Sequence, residues 1–506
     1  MITAVISIMI AFFFTGLLGQ QPIELAEPIT EIDSKSAVVP DRNQGQKTMK
    51  SFSEKGLLTY GDEAKDKPLL SEVPQGSGVI DKKRNRRLGY TELTFKNGAT
   101  VVLKPNDYTK SQILFLAVSP GGHSVYPLDK FMSAYVASDI INQSGAGVFN
   151  QEELDKKIAE KAVQLQTNIS ALYESLKGSC TPGNFETLLK LNYLHFTHHK
   201  IDSNAYNKYI DELKSRSEYV WSDPRYVFYD TIVKTATLHH PREVIAPTDK
   251  QIRQITYDQV KEVFRERFSD AGDFTFFIVG NFEMDTIIPY LEKYLGGLPS
   301  NNNPETWRDV EPEFPSTSKY LYVYKGTEPQ STVAILMKDT FDWSNDRLKF
   351  DVMNKMLEIR LRKAMREEQG EVDYITVDGS YSRYPDPGYS LYLSFGCEPE
   401  DADSLAYSVI SEMREIIKNG PSEKILNKVQ NSILNDRETN NVKNSYWINN
   451  LQRFYFDDEP IIRERKFKRE LKRITPEDMQ EIAHKYFQVE HYVMGILYPE
   501  NVELRR

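Results

Sequence analysis

The sequence predicts an α+β protein of two repeated domains, each a mainly antiparallel sheet with helices packed on it. Short β-branched and aromatic runs alternate with segments of helical periodicity. Three segments also recur in the same order. ITYDQVKEVFRERF from Ile255 matches ITPEDMQEIAHKYF from Ile474, LKGSCTPGNFETLL around Cys180 matches LSFGCEPEDADSLA around Cys397, and QILFLAV from Gln112 matches TVAILMK from Thr332. The offsets are 219, 217 and 220, so one domain of about 200 residues occurs twice. At 40% hydrophobic residues the chain of 506 has apolar material for more than one core.

The elements follow in chain order. Residues 2–19, ITAVISIMIAFFFTGLLG, form one apolar run. An export signal occupying 1–20 is the favoured reading and an uncleaved anchor the alternative, since the run is short for a span and polar residues follow at once. Residues 21–89 read as an extended leader, and the basic run Lys82–Arg87 within it as solvated linker. The first domain spans 90–298. It opens with a hairpin, TELTF and ATVVLKP joined at Asn97-Gly98, and ILFLAVS follows as a buried strand. Helices are predicted over 129–142, from about 152, and over 184–198, 203–217, 225–237 and 257–268. Strands are predicted near VQLQTNIS and SLKGSC, and FTFFIVG closes the unit. A connector rich in Pro, Asn and Ser spans 299–318, and the second domain runs from 319 to 506.

Composition removes several function classes. A net charge of −10 leaves no domain-wide basic excess for coating nucleic acid, so no nucleic-acid partner is expected. Two cysteines exclude a disulfide framework and every zinc site built on several thiolates. They fall at equivalent points of the two repeats, which favours buried thiols over a mutual bond. No G-x-S-x-G elbow and no P-loop occur.

TELTFKNGATVVLKPNDYTKSQILFLAVSPGG resembles the opening of a half-molecule in the insulinase/pitrilysin (M16) family of zinc peptidases. SGAGVF, FTFFIVGNF followed by LGGLPS, and REEQGEVDY followed by SRYPDPGYSLYLSFGCEP carry the same resemblance. It covers essentially residues 60–506 and looks closest to the non-catalytic C-terminal half of bacterial envelope members. The resemblance implies the M16 peptidase/LuxS-like metallohydrolase fold. It also implies two halves closing around a peptide-sized chamber, with zinc in the N-terminal half alone.

That zinc chemistry needs two imidazoles one helical turn apart, a carboxylate as general base, and a further carboxylate ligand from a later helix, written H-x-x-E-H in the family. Registered on SGAGVF, the motif falls on Ala134-Tyr135-Val136-Ala137-Ser138. Ala134 and Ser138 stand at the histidine positions and Ala137 at the glutamate position. The last ligand falls near Ser215 or Arg216, and a cation there opposes a metal. No metal and no catalytic residue are therefore assigned to this chain; zinc is expected in the partner subunit. His195-Phe196-Thr197-His198-His199 offers H-x-x-x-H spacing with no acid placed to act as base, and reads as surface or helix-end histidines. His123 reads as a loop histidine.

The resemblance implies that an Arg and a Tyr of the last domain hold substrate, which places the substrate-binding candidates at Arg366 and Tyr374. Both types donate hydrogen bonds to a peptide carbonyl or oxyanion. Ser382-Arg383-Tyr384 is the weaker candidate. The expected function is a non-catalytic half-subunit that completes the peptide chamber of an exported, periplasmic or envelope metallopeptidase. It would pair with an H-x-x-E-H subunit in a heterodimer, or associate with itself. The alternatives are a stand-alone peptide-binding scaffold and an active zinc endopeptidase with an unconventional site around His195.

Overall fold

The computed structural model describes residues 67–301, 303–365 and 372–501. The apolar run 2–19, the leader up to residue 66, and Arg366 lie outside the described residues. The first copy runs β1 (Val79–Asn85), β2 (Tyr90–Phe95), β3 (Thr100–Pro105), β4 (Ile113–Pro120), α1 (Leu128–Asn142), α2 (Gln151–Ile158), β5 (Val163–Ile169) and β6 (Tyr173–Cys180). It continues with α3 (Phe185–Thr197), α4 (Ser203–Ser222), α5 (Pro224–Ala236), α6 (Asp249–Ile252), α7 (Tyr257–Arg267), β7 (Thr275–Gly280) and α8 (Met284–Tyr294). The second copy holds β8 (Lys319–Tyr324), β9 (Ser331–Thr340), α9 (Arg347–Lys363), β10 (Val372–Ser382) and β11 (Gly388–Cys397). It ends with α10 (Ala402–Asn419), α11 (Glu423–Asn440), α12 (Asn444–Phe456), α13 (Glu464–Arg473), α14 (Pro476–Tyr486) and β12 (Val493–Tyr498).

The two sheets are repeats of one topology. The first orders its strands β1-β2-β3-β7-β4-β6-β5 and the second β10-β11-β9-β12-β8. Read from the other end, β8-β12-β9-β11-β10 superimposes on β3-β7-β4-β6-β5, and in both the pair β3/β7 or β8/β12 is parallel and the rest antiparallel. Ile113 pairs with Cys180 in the first sheet and Ser331 with Cys397 in the second. Both cysteines are buried and neither is in a disulfide, so the equivalence predicted from spacing is observed. The local signals repeat too. Thr256 accepts from Gln259 N at the start of α7, and Thr475 from Asp478 N at the start of α14, each satisfying an orphan donor of the first turn.

One sequence reading is corrected here. The run Lys82–Arg87, taken as solvated linker, lies largely in β1, which pairs antiparallel with β2 at the margin of the first sheet. Its side chains are almost all exposed, so no apolar alternation announces it; charges on an edge strand also block pairing with other chains.

Each sheet is covered on both faces, and one cover comes from the other copy. Phe115, Phe276 and Ile278 face α1, α3 and α7, while Leu114, Leu116, Val118 and Phe277 face the opposite way. Against that second face lies α12, with Ile448 and Leu451 fully buried. Reciprocally, Ala334, Leu336, Tyr392 and Val493 of the second sheet lie under Phe228, Ile232 and Val233 of α5. At Gly495 of β12 a Cβ would sit 2.9 Å from both Ile232 and Phe228, so the missing side chain sets how closely α5 approaches. By the repeat, α5 and α12 are the same helix exchanged. Full burial of each large aliphatic or aromatic side chain in these faces contributes about 1.5–3 kcal/mol.

A buried charge network ties the loop after β4 to this framework. Arg267 of α7 lies 3.6 Å from Glu174 and 2.7 Å from Glu305, and its Nε donates to Tyr126 Oη at 3.1 Å. Gly122 N donates to Glu174 Oε2 at 2.7 Å, and at Gly121 (φ 142°) a Cβ would fall 2.3 Å from Arg267 Nη1. Burial pushes the Glu174 carboxyl up and Arg267 holds it down.

Three outcomes follow. Ile448→Ala and Phe228→Ala should each lower stability by about 2–5 kcal/mol. Ile448→Ala should also speed amide exchange in β4 and β7, although α12 belongs to the other copy; exchange faster only in the second sheet would contradict the swap. Arg267→Met leaves Glu174 buried without its cation and should cost about 3–5 kcal/mol by urea unfolding.

Candidate functional site: a degenerate metal centre

The helix on which the metal motif falls is α1, entered from Pro127 and bearing Ala134, Ala137 and Ser138 on its buried side. Ala134 and Ala137 are fully buried in the first core, and Ser138 is 7% exposed. At the next residue, Asp139 Oδ2 accepts from Tyr209 Oη of α4 at 2.8 Å. Arg216 lies on the same α4, solvent-exposed, and is close enough to Tyr135 and Tyr209 to stabilise both phenolates electrostatically. Burial and Asp139 outweigh it, and the Tyr135 phenol is pushed up to about 12. Ser215, the alternative position, turns its hydroxyl back to Asp211 O at 3.0 Å.

Ser138, Tyr135 and Asp139 line a cleft of about 410 Å³. Its other walls are the β5–β6 turn, residues 242–245, and Val310 to Pro312 of the connector. The connector is pinned along its course. Arg308 N donates to Ser124 Oγ at 3.0 Å, and Glu311 pairs with Lys338 of β9 at 2.5 Å. Trp307 packs on Tyr384, with centroids 5.5 Å apart. Inside the cleft the Glu243 carboxyl is pushed up to about 7 by burial, with Lys338 opposing and Glu311 reinforcing.

His123 reaches this cleft, which its reading as a partnerless loop histidine did not reveal. Its ring packs edge-on to Phe131 at 5.2 Å and lies 5.9 Å from Tyr135. Burial and the neighbouring Arg242 push it down to about 3, so it is a neutral imidazole. Arg242 in turn donates to the carbonyls of His123, at 3.1 Å, and Tyr126, and stacks over Phe131.

The donor set does not fit zinc. Two alanines carry no ligand atom, Ser138 is a poor ligand, and Arg216 brings positive charge to the fourth position. Among the described residues no group of three or more His, Cys, Asp or Glu is placed to hold a metal. The histidine cluster is arranged differently from its reading. His195 sits in the last turn of α3, as a helix-end residue, but is buried rather than on the surface, with Nδ1 2.9 Å from Leu191 O. His199 lies beyond the helix, with Nε2 3.0 Å from Phe268 O. The two rings both pack on Phe264.

Of the substrate-binding candidates, Arg366 is outside the described residues. Tyr374 lies at the start of β10, beside a bulge between Val372 and Ile375. It is 48% exposed, yet Tyr229 of α5 and Thr332 of β9 surround its phenol, which burial pushes up to about 12. Pro385, which lines the Ser138 cleft, stands past the other end of β10. At about 3.3 Å per residue that strand keeps Tyr374 away from the α1 cleft of its own chain. Arg383 pairs with Asp458 at 3.0 Å and donates to Asp457 O at 2.9 Å, so Ser382-Arg383-Tyr384 is a structural clasp.

Fold and site together define a two-copy α+β chain with the architecture of M16 peptidases. Residues 254–433 match the family model described as the peptidase M16 inactive domain. The probable zinc protease PqqL of Haemophilus influenzae is 24% identical over 372 residues, 72% of this chain and 39% of that protein. The periplasmic protease PqqL of Escherichia coli superimposes with a TM-score of 0.75 at 21% identity, over 88% of this chain and 49% of that one. A peptidase M16 inactive domain from Pseudomonas fluorescens gives a TM-score of 0.70 at 16% identity, over 82% and 99%. The chain therefore spans 39% to 48% of the curated relatives it matches. The chain is thus similar to the M16 peptidases in sequence and fold, and its residues 254–433 match that family's inactive domain.

The buried alanines give a direct test. Ala137→Glu restores the carboxylate position but buries it unpaired, and should cost about 3 kcal/mol or more in urea unfolding. A variant as stable as the parent would mean that the α1 face is open to solvent.

Proposed function

We propose that this chain is the non-catalytic half of an M16-type zinc metallopeptidase of the bacterial periplasm, working with a separate half that carries H-x-x-E-H and holds the zinc. The observation that supports this most is α1 itself. The helix and the cleft beside it are kept, while Ala134, Ala137, Ser138 and Arg216 stand at the metal and base positions. Conservation of shape without ligands suits a wall of a chamber better than a centre of chemistry. In this reading Arg366 and Tyr374 donate hydrogen bonds to the peptide carbonyl held at the partner's zinc, Tyr374 from the exposed end of β10. The periplasmic setting is taken from the E. coli relative; among the described residues no helix is long and apolar enough to cross a membrane.

The test combines the purified chain with a half-length H-x-x-E-H relative from the same organism. A stable complex with peptide hydrolysis well above that of either half is the expected result. Tyr374→Phe should then lower kcat by about 10²-fold while leaving complex formation intact. Failure of the two halves to associate, or a Tyr374→Phe assembly with full activity, would contradict the reading.

A further inference from the structure

Two runs of exposed cations meet at the surface, one from each copy. Residues 82–87, KKRNRR, form the end of β1 and the turn after it, and carry five cations and no acid. Residues 463–473, RERKFKRELKR, enter and form α13, and carry seven cations and two acids in a chain whose net charge is −10. The fold joins the two runs, since Arg463 Nη2 donates to Arg87 O at 3.5 Å. All of these cations are exposed.

Around its axis α13 separates its residues by charge. Phe467 and Leu471 form its buried stripe, and at 3.6 residues per turn Glu464 and Glu470 flank that stripe. The outer side presents Arg465, Lys466, Lys468, Arg469, Lys472 and Arg473 with no acid between them. Little of this charge is met within the chain. Arg437 of α11 takes Glu464 at 3.1 Å. Among the described residues the two runs form ion pairs of their own only at Lys83, with Asp81 and Glu92, and at Lys466, with Glu470 at 3.5 Å. Lys472 donates to Asn431 Oδ1, a neutral acceptor. Local stability does not account for the arrangement. Arg463 at the N-cap and Arg465 and Lys466 in the first turn stand at the positive end of the helix dipole. Arg465 and Arg469, and Lys468 and Lys472, repel each other one turn apart.

An outward-facing row of cations along a whole helix suits an extended anionic surface. The outer side of α13 holds no aromatic ring on which a base could stack, so it lacks the means by which single-stranded nucleic acid is held. A bilayer containing anionic phospholipid presents phosphates as a plane, and each Lys or Arg near that plane adds attraction without a specific pairing. Both readings of the apolar run 2–19 bring a chain to a membrane, because an export signal carries it through a bilayer and an anchor holds it in one. A basic patch is also the common second element beside a hydrophobic anchor. We propose that α13 and the β1–β2 turn dock this chain on a membrane surface of anionic phospholipid, with lipid phosphates against the outer cations of α13.

Docking of this kind is independent of the half-subunit reading and is measured on the full chain alone. The probe is a set of vesicles of phosphatidylcholine, either pure or with about one-third phosphatidylglycerol, assayed by flotation at about 0.1 M salt. The chain should partition onto the anionic vesicles about tenfold or more above the neutral ones. That preference should collapse at about 1 M salt, where the screening length falls to about 3 Å. Arg465→Gln, Lys468→Gln and Arg469→Gln together should lower partition onto anionic vesicles by about 10²-fold. Lys250→Gln, Arg253→Gln and Lys261→Gln, a triple change of equal charge in the first copy, should leave it unchanged. Arg84→Gln, Arg86→Gln and Arg87→Gln should lower it in the same direction as the α13 variant, and decide the matter if that variant does not fold. Equal partition onto the two vesicle types, an equal drop in the Lys250 triple variant, or tighter binding to a DNA duplex than to anionic vesicles would overturn the proposal.

Discussion

The structure depends on the reciprocal exchange of α5 and α12. Each helix leaves its own copy and roofs the sheet of the other, burying Phe228 and Ile232 on one side and Ile448 and Leu451 on the other. A sheet with apolar residues on both faces needs cover on both. The exchange supplies it, and it fixes the two copies relative to each other at once. The clefts beside α1 and α9 take their shape from this arrangement, because α5 and α12 form walls of them.

Inside that frame the two clefts have diverged. Beside α1 the positions that the family resemblance assigns to the metal motif carry the buried Ala134, Ala137 and Ser138, with His123 held neutral against Phe131 and the connector pinned by Glu311 to Lys338. Beside α9 the cleft is wider and its walls carry paired charge, with Arg453 3.7 Å from Glu459. A repeat that retains its backbone while changing side chains in this way separates scaffold from chemistry. The scaffold contributes shape, and among the described residues no group of three or more His, Cys, Asp or Glu is assembled on it to hold a metal.

Much of the first copy was legible in sequence, because caps, periodicity and turn residues are local. The hairpin at Asn97-Gly98 and the helices starting at Ser203, Pro224 and Tyr257 fall within a residue or two of expectation, although the second of the four-helix series extends to Ser222. That Ala134, Ala137 and Ser138 bring no imidazole or carboxylate is read from the sequence alone; the structure adds that all three are buried on α1. What was not legible is set by long-range packing. β1 is an edge strand whose charges mimic a linker. The burial of His195 depends on Phe264 of a distant helix. An apolar helix face does not state which sheet it will cover, so the exchange of α5 and α12 was hidden. Arg347, Asp351, Arg453 and Glu459 are ordinary charged residues in sequence and converge only in the fold.

The central claim, that the M16 architecture is kept here without its own zinc chemistry, is tested most directly by metal content. The chain, saturated with zinc and then dialysed, would be analysed by inductively coupled plasma mass spectrometry alongside a peptide hydrolysis assay on the lone chain. The account predicts far less than one zinc per chain and no hydrolysis above background. One zinc per chain with hydrolysis abolished by a chelator would contradict it and return attention to the histidines around His195.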